Sequence, residues 1–457
     1  MIKKLLPLFL AAILLTSCGK PATTLLDFIS TEVEKIDYEG RTFIIDGGPY
    51  FIYQDDNSPQ TDALRKRLAN IQSELNLVFE YCEYGRTTTA TIVGNVYTAD
   101  IIFRYEGDSL VPFAHGGLLH PLNAYPEFID LTDTDKYGKP GATEAALANG
   151  IPYGIQPTYW PGMQGIECFF IAYNKDMMET LGLTDLHEYY ENKTWTWDTF
   201  YNFLKQADTL VPEDVTTFQS HTTYLLNTIF LSNGFDFIEI VDGDPQFKIL
   251  SEDAIHAVEF LQKFDDFEKV KLGASRWDIE DFVDGKSLTT MAIAKNVTVG
   301  DIAYKSEFDY GIMPFPSGPD AEYGKWAQSV TRIYGFAIPL SCSTPEISAN
   351  VLSELFEPFE EFGTTREELK SYYANGVFIS PTDAEIYFDV DQYVRYDYDD
   401  LGFLETVVGA IAATARHGGA VPAEALQKIE PVALRYYNEY IEANLVNYLV
   451  DALNITE

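Results

Sequence analysis

The chain has 457 residues, 46% of them hydrophobic, which is enough for two or three globular units with sizeable cores. Seventy acidic residues against 31 basic ones give a formal net charge of −39. A surface this acidic repels polyanions, so the composition argues against nucleic acid and acidic membranes as partners. Aromatic residues make up 14% of the chain, which indicates packed cores and leaves rings available for ligand stacking.

The N-terminus has the layout of a secretory signal. Two lysines precede an apolar run, Leu5 to Leu15, that is too short to span a bilayer. The next residues complete Leu15-Thr16-Ser17-Cys18, which resembles a bacterial lipobox, whose Cys is diacylated and becomes the mature N-terminus. We therefore expect a signal peptide at 1–17, a lipid anchor and tether at 18–39, and a protein on the outer face of the cytoplasmic membrane or in the periplasm.

Strands alternate with helices from about residue 40 onward, which predicts an α/β fold. Apolar runs bounded by turn residues predict strands at 42–45, 77–81, 100–103, 168–173, 289–293, 310–313 and 335–338. Helical patterns begin after Ser58-Pro59, run over 175–181 up to Gly182, run from the cap Thr196 to Leu210, and surround 256–261. The last hundred residues are predicted to be largely helical.

Motif searches narrow the chemistry. The sequence contains no zinc-protease, serine-hydrolase or paired Cys-x-x-Cys motif, and its six histidines do not cluster. We predict no metal site and no cofactor. The stretch Asp133 to Glu144 has calcium-loop spacing, but Tyr137 stands where an oxygen ligand is required, so a solvated acidic turn is the favoured interpretation and calcium the alternative.

Several segments resemble those of bacterial extracellular solute-binding proteins of the carbohydrate-uptake ABC transporter class, the maltose-binding-protein-like family. The specific ones are Tyr173-Asn174-Lys175-Asp176 and Thr196-Trp197-Asp198. Further matches follow in the family's order at 100–103, 117–119, 282–286, 310–316 and 335–338. The resemblance covers about residues 40 to 440. It implies the class II periplasmic-binding-protein fold, an α/β fold in which two lobes joined by a multi-crossover hinge close on a ligand.

The resemblance also implies a domain division and a function. It places lobe 1 at 40–155 plus 309–358 and lobe 2 at 166–305 plus 362–457. We expect a monomer that captures a mono- or oligosaccharide between the lobes and delivers it to ABC permease subunits, without catalysis and with the lipid anchor as its only membrane contact. Two alternatives stay open: a surface glycan-degrading enzyme, and a carbohydrate-binding lipoprotein of adhesion or sensing.

Candidate ligand residues lie on loops near the ends of predicted strands. A neutral sugar is recognised by an aromatic ring that stacks on its C–H face and by polar groups that bind its hydroxyls. Loops with such residues, together with the offsets that the resemblance implies for Glu167 and Tyr224, give the predicted binding set: Arg104, Glu106, Asp108, Gln156, Tyr159, Trp160, Glu167, Tyr224, Asn296, Trp326, Arg332 and Tyr334.

Each of these residues has a structural alternative. Trp160 lies between Tyr159 and Pro161-Gly162, which favours exposure of its ring toward the cleft. A role in ordinary packing is the alternative for both Trp160 and Trp326. Arg104 and Arg332 either pair with one of the many acids or recognise an acidic sugar.

Overall fold

The computed structural model describes residues 36–47, 59–105, 110–138, 147–148, 151–156, 168–241, 244–273, 279–298, 300–326, 328–329, 334–395, 404–416 and 421–436. Its strands are β1 (Arg41–Asp46), β2 (Leu77–Cys82), β3 (Ile101–Tyr105), β4 (Leu147–Ala148), β5 (Ile151–Pro152), β6 (Gly154–Ile155), β7 (Phe169–Asn174), β8 (Thr216–Ser220), β9 (Ile238–Val241), β10 (Asp244–Phe247), β11 (Val270–Leu272), β12 (Ser287–Ile293), β13 (Tyr310–Met313), β14 (Gln328–Ser329), β15 (Tyr334–Ala337) and β16 (Val394–Arg395).

Helices alternate with these strands and dominate the C-terminal quarter. They are α1 (Pro59–Leu75), α2 (Thr89–Val93), α3 (Val111–His115), α4 (Thr134–Tyr137), α5 (Lys175–Leu181), α6 (Leu186–Glu191), α7 (Trp197–Leu210), α8 (Thr222–Ser232), α9 (Glu252–Gln262), α10 (Glu280–Val283), α11 (Ala294–Thr298), α12 (Asp301–Lys305), α13 (Pro345–Leu355), α14 (Arg366–Gly376), α15 (Pro381–Gln392), α16 (Gly409–Arg416) and α17 (Pro422–Tyr436). Short 3₁₀ turns lie at Leu122–Ala124 and Lys263–Asp266, and a π-helical turn lies at Leu404–Val408.

Two five-stranded sheets share one strand order: their four parallel strands, counted in chain order, lie as second, first, third and fourth, with an antiparallel strand between the third and the fourth. Sheet A runs β2-β1-β3-β15-β6 and sheet B runs β11-β8-β12-β7-β13. Each contains one strand that is antiparallel to both its neighbours, β15 in sheet A and β7 in sheet B. In each case that strand is the first one of its sheet to follow a passage of the chain from the other sheet. The α/β prediction is therefore confirmed.

The chain passes between the sheets more than once. It leaves sheet A after β6 and returns to it after β13. It passes to sheet B once more between α13, which packs on α1, and α15, which packs on β13. The strand Tyr310–Met313 pairs with β7, from Asn174 to Ile171, and so belongs to sheet B. The predicted boundary at 309 assigned that strand to lobe 1, because strand pairing between segments so distant in the chain leaves no local signal.

Local sequence explains the elements that carry the resemblance. Asn174 caps α5 by accepting a hydrogen bond from the Met177 amide, and Gly182 ends that helix in the left-handed region at φ 66°. Thr196 caps α7 in the same way, with its hydroxyl accepting from the Thr199 amide. These residues position the scaffold, so they identify the fold and leave ligand recognition to other residues.

Helix α1 buries one apolar face against sheet A, as its helical spacing predicts. The residues of this face are Leu64, Leu68, Ile71 and Leu75. Among the described residues, no helix combines the length and the hydropathy that a membrane span requires. Cys82, Cys168 and Cys342 are free thiols.

Candidate functional site

The strand order locates the edge of each sheet at which folds of this kind bind ligands. In open α/β sheets, ligands bind outside the carboxyl ends of the parallel strands, where neighbouring strands lead the chain to opposite sides. In sheet A these ends carry Asp46, the turn 83–87, Arg104 and Gln156, together with the start of the antiparallel β15; we call this edge A. In sheet B they carry 220–224 and 294–298, together with the start of β7; we call this edge B.

Edge A is built on a buried ion pair. The Asp46 carboxylate and the Arg104 guanidinium are in contact and are 0% and 1% exposed. The same carboxylate accepts hydrogen bonds from the amides of Gly85, at 3.2 Å, and Thr87. One side chain at the end of β1 therefore ties β3 and the turn after β2 together.

Arg104 is also satisfied by neutral groups. Its Nη1 atom donates to the backbone oxygens of Asp46 and Phe103 at 3.0 and 2.9 Å, and its Cζ atom lies 4.8 Å from the centre of the Tyr84 ring. Of the two interpretations given above, the structure shows pairing with an acid. The neighbouring Cys82 thiol has a raised pKa, because it is partly buried and because the Asp46 charge opposes its ionisation.

Two further predicted residues lie at edge A. Gln156 is buried and directly follows β6, whose carboxyl end belongs to this edge. Tyr334 begins β15, where it pairs with Tyr105 of β3. Arg104, Gln156 and the backbone of Tyr334 thus lie at the same edge of sheet A. Contact of these residues with a ligand stays a prediction.

Edge B contains a packed aromatic cluster. Tyr224, on α8, is 2% exposed, and its ring centre lies 5.4 Å from that of Phe169 and 5.0 Å from that of His221. The Ala294 amide donates to the Cys168 carbonyl at 2.9 Å, which joins the start of α11 to the start of β7. Asn296, half-buried on α11, therefore lies at the same edge as Tyr224.

Trp326 lies in the segment that leads from β13 back to sheet A, two residues before β14. It is 4% exposed, and its ring packs against Tyr190 and Tyr323 at 6.1 and 5.4 Å between ring centres. These contacts match the packing alternative for this residue.

The remaining predicted site residues fall outside the described part of the chain: Glu106, Asp108, Tyr159, Trp160, Glu167, Arg332 and the lipidation residue Cys18. The calcium-like stretch is described only at its start, where the Asp133 carboxylate caps α4 by accepting from the Lys136 amide. Tyr137 is buried against Phe356 there. Within the described ranges, no three His, Cys, Asp or Glu side chains are grouped as a metal site.

Sequence reasoning missed Asp46 and Tyr84. The available signal was position: Asp46 is a charged residue that directly ends the apolar run Phe43-Ile44-Ile45, and Tyr84 comes two residues after β2. Both positions are the carboxyl ends of parallel strands.

No protein-family model and no curated protein matches the sequence. Solved structures do match it over most of its length. An ABC substrate-binding protein from Listeria monocytogenes, in complex with cycloalternan, is 16% identical over 89% of this chain and 100% of its own, with a TM-score of 0.61. The GacH receptor of Streptomyces glaucescens, solved unliganded and with acarbose, is 13% identical over 88% of this chain and 99% of its own, with a TM-score of 0.62.

UgpB from Mycobacterium tuberculosis, in complex with glycerophosphocholine, is 14% identical over 88% of this chain and 99% of its own, with a TM-score of 0.60. At these identities the likeness shows the fold. The class II periplasmic-binding-protein architecture of two α/β lobes is thereby confirmed.

Proposed function

We propose that this chain is a substrate-binding protein of an ABC importer that captures a mono- or oligosaccharide between its two lobes and delivers it to the permease. The observation that carries the proposal is the repeated strand order of sheets A and B, with the chain passing between them, because two such lobes can close on a ligand like a hinge. The neighbours solved with cycloalternan and acarbose support a carbohydrate as the ligand class.

The proposal includes the position of the protein and of its lobes. Lobe 1 comprises sheet A, with residues 40–155 and 334–358, and lobe 2 comprises sheet B, with residues 166–313 and 362–457. The mature chain is a monomer held by acyl groups on Cys18 at the outer face of the cytoplasmic membrane. Cys18→Ala is expected to give a protein without acyl mass that is released or mislocalised, as measured by mass spectrometry of the N-terminal peptide and by fractionation.

A thermal-shift screen of the mature chain tests the ligand class. The panel contains mono- and oligosaccharides, with glycerophosphocholine as the non-sugar comparison. A sugar at 100 times its dissociation constant is expected to stabilise the protein by about 2.7 kcal/mol. Calorimetry then measures the Kd of each sugar that stabilises the protein. Stabilisation by no sugar, or by glycerophosphocholine alone, would overturn the proposal.

Product analysis separates binding from catalysis. After long incubation with the sugar that binds best, chromatography is expected to return that sugar unchanged. Progressive hydrolysis would instead support the glycan-degrading alternative.

X-ray scattering tests closure of the lobes. The protein with its sugar is expected to have a smaller radius of gyration than the unliganded protein, whereas an adhesion or sensing scaffold without a closable cleft gives unchanged scattering.

A further inference from the structure

We infer that Tyr84 is the sugar-stacking ring of lobe 1; this inference rests on the proposed function and adds a binding residue to it. Tyr84 lies at edge A, two residues beyond the carboxyl end of β2. Its side chain is half-buried, so part of the ring is accessible. A flat ring at this position can meet a ligand that enters between the lobes.

The backbone presents this ring rigidly. The Arg86 amide donates to the Glu83 carbonyl at 3.2 Å, and Gly85 has φ 86°, which together define a type II turn with Tyr84 at its second position. The Gly85 amide and the Thr87 amide both donate to the buried Asp46 carboxylate. The backbone of the turn is therefore held after Tyr84 by these two hydrogen bonds and before it by the end of β2, so little backbone entropy is lost on binding.

The support beneath the ring is polar, which distinguishes Tyr84 from a core aromatic. The Arg104 guanidinium lies 4.8 Å from the ring centre, and its charge is already paired with Asp46. A paired guanidinium of this kind orients the ring instead of attracting an anion from solvent. Edge A therefore favours the apolar C–H face of a neutral pyranose over an acidic sugar.

The test is calorimetric titration of the best sugar from the panel into wild type, Tyr84→Ala and Tyr84→Phe. Tyr84→Ala is expected to raise Kd about 5- to 150-fold, which is the factor that corresponds to the stacking of one nucleic-acid base on an aromatic ring, about 1–3 kcal/mol. Tyr84→Phe keeps the ring and is expected to stay within about twofold of wild type.

Tyr201→Ala is the matched control. Tyr201 is also half-buried and also has a cation near its ring, the Lys263 Nζ atom at 5.8 Å, but it packs on Phe267 just before the amino end of β11, at the opposite edge of its sheet. Its removal is expected to leave Kd unchanged. Thermal melting of each unliganded variant verifies that the fold is intact.

The outcomes are distinct. If wild type binds a sugar and Tyr84→Ala binds it equally well, the inference about Tyr84 is wrong and the proposed function stands. An equal loss in Tyr84→Phe and Tyr84→Ala also overturns the inference, because it assigns the effect to the hydroxyl group. If wild type binds no sugar, the proposed function and this inference fall together.

Discussion

Edges A and B occupy equivalent places in two sheets of the same strand order, but they are built from different chemistry. Edge A is organised by one buried ion pair, Arg104 with Asp46, which also fixes a turn. At edge B the ring of Tyr224 packs on neighbouring rings, and a backbone hydrogen bond joins α11 to the start of β7. Topology therefore determines where a ligand meets each lobe, and local side chains determine how rigid and how polar that place is.

The largest effect is expected from breaking the ion pair of edge A. Arg104→Met leaves the Asp46 carboxylate buried without its cation, and loss of one partner of a buried pair costs about 3–5 kcal/mol. The measurement is the free energy of unfolding from urea titration of the unliganded protein.

Arg41→Met is the matched control in the same sheet. Arg41 begins β1 and pairs with Asp100; the Asp100 carboxylate is fully buried, but the Arg41 side chain is 25% exposed, so water can replace part of its interaction. Asp100 also keeps hydrogen bonds from the Ile44 amide and the Tyr97 hydroxyl group when Arg41 is replaced. We expect a clearly smaller loss than for Arg104→Met. Equal losses would show that burial does not distinguish the two pairs, and the ionic account of edge A would be wrong.

A smaller effect is expected at edge B from Tyr224→Leu. The substitution removes ring contacts with Phe169 and His221, each worth about 0.5–1.5 kcal/mol, so the free energy of unfolding should fall by about 1–3 kcal/mol. Tyr224→Phe keeps both ring contacts and should therefore cost less stability than Tyr224→Leu. If Tyr224→Phe weakens sugar binding while stability is unchanged, the hydroxyl group contacts ligand, as the sequence predicted.

The sequence was informative wherever a strand or helix carries its own apolar pattern. The strands at 42–45, 77–81 and 289–293 and the capped helix α7 are confirmed because their burial depends on local periodicity. Strand β8 was missed, since Thr-Thr-Phe-Gln-Ser reads as a polar loop. Its Thr217 is nevertheless fully buried, because the hydroxyl group donates to Asp208 at 3.0 Å, a partner that only the tertiary fold supplies.

The site followed the same rule. Asn296 is predicted at a sheet edge because it follows the predicted strand 289–293, and Gln156 because it begins the loop at the first crossover between the lobes; position along the chain is enough for both. The sequence does not decide the role of Arg104, because whether its guanidinium contacts a ligand or a carboxylate depends on Asp46, 58 residues away. Tyr84 was missed for the same reason: its exposure and its polar support come from the pairing of β1 with β2 and β3.

A third substitution tests how far helix α7, which packs on sheet B, depends on local capping. Thr196→Ala removes the hydroxyl group that accepts from the Thr199 amide at the start of α7, next to the segment that leaves β13. Loss of such a cap costs about 1 kcal/mol. Ser251→Ala is the control, because Ser251 occupies the capping position of α9 but its side chain makes no capping hydrogen bond. A loss of equal size in both variants would refute the capping explanation.

The smallest effect concerns an exposed counterpart of the edge A ion pair. His256 Nδ1 lies 2.8 Å from Asp320 Oδ2, with side chains 44% and 36% exposed, and Asp320 also accepts from Asn233 at 2.8 Å. The hydrogen bond with Asp320 raises the pKa of His256, and the Glu259 and Glu252 charges on the same helix add to it. Partial burial would raise the pKa of Asp320, but the hydrogen bonds from His256 and Asn233 lower it overall.

These directions fix the pH dependence. A histidine with a raised pKa stabilises the fold fully below its unfolded pKa of about 6.5, and that stabilisation is lost as the pH rises through the folded value. Asp320, whose pKa is lowered, stabilises the fold above its unfolded pKa of about 4 and loses that contribution only as the pH falls below this value. The difference in unfolding free energy between wild type and His256→Gln should therefore be largest near pH 5–6, decline by pH 9, and stay below about 1 kcal/mol because the pair is exposed. Urea titrations at pH 5.5 and pH 9 measure it. A difference that does not change with pH would mean that His256 contributes through packing and not through its charge. The two ion pairs, Arg104 with Asp46 and His256 with Asp320, could then not be compared by their electrostatic contributions to stability.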